Sequence, residues 1–177
     1  IMSDHLHGLP TSSTLQKRVF DFIFTLLGLF FLWWLILFAA LLAWLDTGEN
    51  GFFTQVRVGQ YGKIFKVLKI RTMKPSTVVN TTVTTSNDSR ITSLGRFFRR
   101  TKIDELPQLI NVLLGQMSFV GPRPDVPGFA DLLQSDEKLI LSIKPGITGP
   151  ATLAYRNEEE ILASVNDSEK YKRKHQK

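Results

Sequence analysis

From Phe22 to Leu45 the chain reads FIFTLLGLFFLWWLILFAALLAWL, 24 residues without a charge. A helix needs roughly 20 apolar residues to cover the hydrocarbon core of a bilayer. Apolarity on every face at this length is a membrane signal rather than the single stripe of a soluble core helix. The run is too long for the hydrophobic region of a cleaved signal peptide, and no small-residue cleavage site follows it. Lys17 and Arg18 precede the run and Asp46 and Glu49 follow it, which puts the N-terminal flank in the cytoplasm. A spanning helix would carry everything after Leu45 to the other side, yet that part holds Arg57, Lys63, Lys66, Lys69 and Arg71. A helix that enters and leaves by one face removes the conflict.

The remainder is long enough for one domain with its own core, in a chain of 177 residues and net charge +6. That charge suits anionic partners: nucleic acid, nucleotide phosphates or an anionic membrane surface. The basic residues are spread out and no nucleic-acid motif occurs, so nucleic acid is the weakest of these. There is no cysteine, hence no disulfide, thiolate nucleophile or cysteine zinc site. His5, His7 and His175 are too scattered to bind a metal together, and Ile1 before Met2 is set aside from fold reasoning.

Residues 52–71, FFTQVRVGQYGKIFKVLKIR, read as two strands around a GQYG hairpin turn. The polar, Thr-rich stretch 74–89 has no helical period and reads as a mobile loop of the kind that covers binding sites. SLGRFFRR (93–100) sets Leu94, Phe97 and Phe98 on one helical face with Arg96, Arg99 and Arg100 on the others. That pattern fits a helix lying in the membrane interface and, equally, a helix packed on a protein core. In TKIDELPQLINVLLG, Thr101 is the expected N-cap, with Asp104 and Glu105 in the first turn. Leu106, Leu109, Ile110 and Leu113 form the buried stripe, and Gly115 the C-cap. KPGITGP (144–150) reads as a rigid loop and NEEEILASV, from Asn157, as a second capped helix before a basic tail.

Acids in a helix's first turn complement the dipole and need no other reason. Their surroundings open a second reading. Arg123 lies between Pro122 and Pro124, which stiffen its backbone as a preset anion contact. Gly121 would let a phosphate approach closely. One carboxylate can attack phosphorus to give an acyl phosphate, and another can hold Mg²⁺ to neutralise substrate phosphates. N–H groups at the helix start would favour phosphate there. Together these describe a membrane-bound protein that handles phosphate esters.

The segments KRVFD (17–21), FTQVRVGQYGKIFKVLKIRTM (53–73), DSRITSLGRFFRRTKIDELPQLINVLLGQMSFVGPRP (88–124) and KPGITG (144–149) occur in this order. On them the chain resembles the monotopic phosphoglycosyl transferases, small bacterial sugar transferases acting on polyprenyl phosphate. The resemblance implies transfer of a phosphosugar from a UDP-sugar to undecaprenyl phosphate with release of UMP, on the cytoplasmic face of the bacterial inner membrane. It implies a ping-pong mechanism with Asp104 as nucleophile and Glu105 as its partner in Mg²⁺ binding or proton handling. Arg123 would contact phosphate, Lys69 and Arg90 would be further phosphate ligands, and Arg156 would help bind the nucleotide.

The implied fold is α+β, mostly helical and monotopic. It has an N-terminal tail (1–16), a re-entrant membrane helix (17–46) and a catalytic domain (47–177) with its mobile loop at 74–89. Interfacial amphipathic helices would surround the core, and their exposed face would suit a homodimer. The family's Ser-Pro break is replaced here by Trp33-Trp34, with no proline between Lys17 and Lys74, which leaves Gly28 as the weak point of the helix. Asp21, an acid at the membrane edge, needs a partner, for which Lys17 and Arg18 are at hand. The chain also ends sooner than relatives that continue past the acidic helix. Two other readings stand beside this one: a non-catalytic membrane scaffold of a glycan-assembly complex, and direct transfer in a ternary complex with Asp104 only a metal ligand.

Overall fold

The structure, a computed structural model, describes residues 11–75, 88–128 and 140–149. The expected helix from Asn157, Arg156 and most of the Thr-rich loop lie outside them. In chain order the elements are α1 (Thr11–Thr47), β1 (Phe52–Val58), β2 (Ile64–Ile70), α2 (Ser93–Thr101), α3 (Gln108–Leu113), β3 (Ser118–Val120) and β4 (Gly146–Thr148), with short 3-10 turns at Gln60–Gly62 and Ile103–Glu105. The fold is α+β. β1 and β2 form the expected hairpin, paired from Phe52↔Ile70 to Val58↔Ile64. The segment read as a rigid Pro/Gly loop contributes β4, which pairs in parallel with β3.

α1 is a continuous helix of 37 residues, about 55 Å long. The break expected of a re-entrant helix, with Gly28 as its weak point, is absent from α1, because nothing in this stretch removes a helical hydrogen bond. Instead the helix lies along the rest of the molecule. Near its start, Arg18 donates to Val112 O and Leu113 O (2.6 and 2.7 Å), at the end of α3. Asp21 Oδ1 accepts from Ser118 Oγ and Phe119 N, both at 3.2 Å. In its C-terminal half, Ile36, Ala39, Ala40 and Ala43 form a core with Ile70 of β2 and Phe98 of α2. The alanines bring the backbones together: a Cβ on Gly51 would lie 1.9 Å from Ala40 O. The opposite faces stay bare, with Phe30 71% and Trp33 58% exposed against 1% for Ala39. The all-round apolarity of the sequence is thus divided between a small-residue face on the protein and an aromatic face left exposed.

α2 follows the core-packing alternative at Phe98, which is buried, with Leu94 partly so, whereas Phe97 remains exposed. Its cap is Thr92, whose Oγ1 accepts from Gly95 N at 2.8 Å. Thr101 is not an N-cap. It ends α2, with its hydroxyl turned back to Phe97 O and Phe98 O. A second core joins Phe65 and Val67 of β2 to Val112 and Met117 around the end of α3.

Candidate functional site

The acid pair does not open a helix. Lys102 takes a left-handed conformation (φ 61°) that ends α2, and Ile103–Glu105 form a 3-10 turn before α3 begins at Gln108. No row of helix N-terminal N–H groups therefore stands over Asp104. What holds the turn is apolar: Ile103 and Leu106 pack into the core beneath α1. The two acids between them are turned toward β2.

The pleat of β2 supplies their partner. Alternate residues Phe65, Val67 and Lys69 share one face. Phe65 and Val67 pack around the end of α3, and Lys69, one step on, meets the turn that precedes α3. Lys69 Nζ lies 3.5 Å from Glu105 Oε1, and Lys102 Nζ lies 4.0 Å from the same oxygen. Asn111 fixes this alignment. Its Oδ1 accepts from Leu68 N at 3.0 Å and its Nδ2 donates to Lys66 O at 2.8 Å, so its amide pairs the free edge of β2 as a strand would. Sequence reasoning passed over Asn111 as a helix residue, although a buried amide amid LINVLL is the kind of signal that marks such a clamp.

Asp104 is 7% exposed and its Oδ1 is buried without a hydrogen-bond partner among the described residues. Burial pushes its carboxyl up to about 6; Lys69, Arg99 and Lys102 pull it down and Glu105 pushes it further up. Burial would also raise Glu105, but Lys69, Lys102 and Arg123 together hold it below its ordinary value. Lys69 is lowered, first by burial and then by Arg123, against the pull of Glu105. The two carboxyls are therefore distinguished: Glu105 is ionised and balanced by cations, and Asp104 is desolvated and unpaired.

Arg123 is brought to this group from the far side. Arg57 Nη1 donates to Pro124 O (3.2 Å), Val58 N to Asp125 O (2.9 Å) and Gly146 N to Pro122 O (2.8 Å), so the backbone on both sides of Arg123 is tied down. Its guanidinium stays exposed at the surface. The remaining expected residues are placed otherwise. Arg90 is paired with Asp88 at 2.6 Å, at the foot of the Thr-rich segment. Gly121 serves chain packing: its N–H donates to Thr148 O, and a Cβ there would lie 2.3 Å from Lys144 O. Arg99, expected at the headgroups, turns inward to Thr72 Oγ1 (2.9 Å) and acts on Asp104.

A family model described as bacterial sugar transferase matches residues 12–176. A Bacillus subtilis (strain 168) protein, provisionally named as an undecaprenyl-phosphate N-acetylgalactosaminyl 1-phosphate transferase, is 45% identical over 121 residues, 68% of each chain. Exopolysaccharide production protein PSS of Rhizobium leguminosarum bv. phaseoli is 41% identical over 77% of this chain and 72% of its own. UDP-glucose:undecaprenyl-phosphate glucose-1-phosphate transferase of Escherichia coli (strain K12) is 40% identical over 90% of this chain but only 36% of its own, longer one. The chain belongs to the bacterial sugar transferase family and is a sugar-phosphate transferase.

Proposed function

We propose that this protein transfers a phosphosugar from a UDP-sugar to undecaprenyl phosphate through a covalent intermediate on Asp104. The observation that carries this reading is the buried, unpartnered Asp104 carboxylate beside an ionised Glu105, a lysine and a preset arginine. A desolvated carboxylate has no hydrogen bonds to give up before it attacks. An Asp104 oxygen attacks the β-phosphorus, the bond from that phosphorus to the bridging oxygen breaks, and UMP leaves with the electron pair. An oxygen of the lipid phosphate then attacks the same phosphorus, the acyl phosphate bond breaks, and Asp104 is regenerated as a carboxylate. Lys69 and Arg123 take up negative charge on the phosphates. The apolar wall beside Arg123, formed by Val58, Pro122, Pro124 and Ile140, gives the donor's base a place to lie.

The dyad also fits Mg²⁺. The unpaired Asp104 oxygen and Glu105 are two carboxylates, the usual number where substrate phosphates supply further ligands. Bound there, Mg²⁺ would neutralise the donor's phosphates. The packing of α1 further supports a monotopic placement, and the family resemblance points to the cytoplasmic face of the inner membrane. Both ends of α1 rest on one polar domain, at Ser118 and at Ile70, which a helix crossing about 30 Å of hydrocarbon would not permit. α1 then lies in one leaflet, its aromatic face in lipid and the dyad at the edge where a polyprenyl phosphate presents its head.

The test is incubation with undecaprenyl phosphate, Mg²⁺ and a panel of UDP-sugars, with UMP measured. At least one donor releases UMP, Asp104→Asn abolishes release, and donor alone labels the wild-type protein with phosphosugar. Release without labelling would favour direct transfer, with Asp104 a metal ligand. No release from any donor would leave a scaffold as the surviving reading.

A further inference from the structure

Outside the dyad, a second charge cluster lies at the opposite end of α3. Arg18 from α1 and Lys144 from the segment before β4 converge there over Gly115. A Cβ on Gly115 would lie 3.2 Å from Arg18 Nη2 and 3.7 Å from Lys144 Nζ, and the residue's left-handed backbone (φ +79°) keeps that space open. Lys17 stands beside them, its Nζ donating to Val120 O at 2.8 Å. The bonds of Arg18 and Lys17 go to neutral backbone carbonyls. Lys144 makes no hydrogen bond or ion pair among the described residues. The one carboxylate that acts on Lys144 is Asp21, whose Oδ1 is already taken by Ser118 and Phe119. Three cations thus face one acid, and burial together with Arg18 and Lys17 lowers Lys144 from its ordinary value despite Asp21.

We propose that Arg18 and Lys144, with Lys17 at the rim, bind the phosphate of an anionic glycerophospholipid over Gly115. The surroundings favour a lipid over a free ion. Leu114 next to Gly115 is 66% exposed, and Val120, whose carbonyl holds Lys17, is also exposed. Val19, Phe20, Phe22 and Ile23 begin the bare face of α1 just beyond. Cations ringed by exposed apolar side chains match a headgroup with acyl chains beneath it. This is a different position from the acceptor's phosphate, which must reach Asp104. The six residues of α3 alone put about 9 Å between them. The site rests on the membrane placement of α1 and not on the transfer chemistry.

The test is native mass spectrometry of the full chain released from detergent, titrated separately with phosphatidylglycerol, phosphatidylcholine, inorganic phosphate and undecaprenyl phosphate. The protein retains one phosphatidylglycerol in preference to phosphatidylcholine. Lys144→Gln lowers that retention about fivefold, the effect of one cation at a membrane surface. Lys144→Arg restores it, and Lys63→Gln, exposed on the hairpin turn, leaves it unchanged. Equal retention by Lys144→Gln and wild type overturns the proposal. So does occupancy by inorganic phosphate as strong as by phosphatidylglycerol, or a loss confined to undecaprenyl phosphate. The readout is lipid retention, so it is separable from failure of the transferase assay.

Discussion

Asp104 has three cations near it, Lys69, Arg99 and Lys102, and its carboxyl still sits at about 6, because burial outweighs them. A carboxyl raised in the folded state contributes stability at low pH and loses it as pH rises through the folded value. The window here is roughly pH 4 to 6, and ionisation above it costs about 3 kcal/mol, from a rise of about two pH units. Without divalent metal, Asp104→Asn should therefore raise the apparent Tm at pH 7.5, with the gap closing toward pH 4.5. The same group should put an acid limb near pH 6 on kcat/KM, where the nucleophile is lost by protonation. A wild-type kcat/KM flat from pH 5 to 8, or an Asn variant less stable at pH 7.5, would contradict this account. The acid pair and Arg123 stand out in the sequence because each lies in a short or stiff pattern, whereas Lys69 was named only through the family resemblance. The surroundings of Arg90 and Gly121 were not legible, because Asp88 and the backbone of residues 144–148 meet them only as the chain folds back.

Among the elements, α3 and β2 carry the site between them. Their relative position is set at one end by Val112 and Met117 against Phe65 and Val67, and in the middle by the Asn111 amide on the edge of β2. Leucine at position 111 keeps the branching at Cγ but leaves Leu68 N and Lys66 O without that amide as partner. Asn111→Leu should lower stability by about 2 to 3 kcal/mol in denaturant unfolding. It should also reduce kcat by one to two orders of magnitude at a temperature where the variant is folded, since small misplacements of reacting groups are costly. Normal turnover in a destabilised variant would show that the clamp serves the fold alone. Helical periodicity placed the buried stripe of α3 correctly at Leu109, but it put the helix start six residues early. The left-handed Lys102 and the apolar anchoring of Ile103 and Leu106 depend on α1 lying overhead.

For the whole molecule, the question is the path of α1. The chain has no cysteine, so single cysteines at Gln16 and Glu49, both exposed at the two ends of the helix, report topology without background. Both should react with a membrane-impermeant maleimide only after the inner membrane is opened. Labelling at position 49 in intact spheroplasts, with position 16 protected, would make α1 a spanning helix and would be incompatible with its packing along the domain.

The sequence by itself determined that a long uncharged helix apolar enough to enter a membrane forms, that a hairpin follows it, and that an acid pair and a proline-flanked arginine stand close together in the chain. These are properties of local composition, of side-chain period and of backbone stiffness, and they do not depend on distant partners. Only the tertiary structure decided how α1 divides its faces, that it runs unbroken, and that a 3-10 turn rather than a helix start presents Glu105 to Lys69 and buries Asp104 beside it. Those outcomes rest on contacts between segments tens of residues apart: Arg18 with the end of α3, Asn111 with β2, Lys69 with Glu105. Such pairings are chosen by packing density and by the demand that buried polar groups find partners, and neither is written in any one stretch of chain.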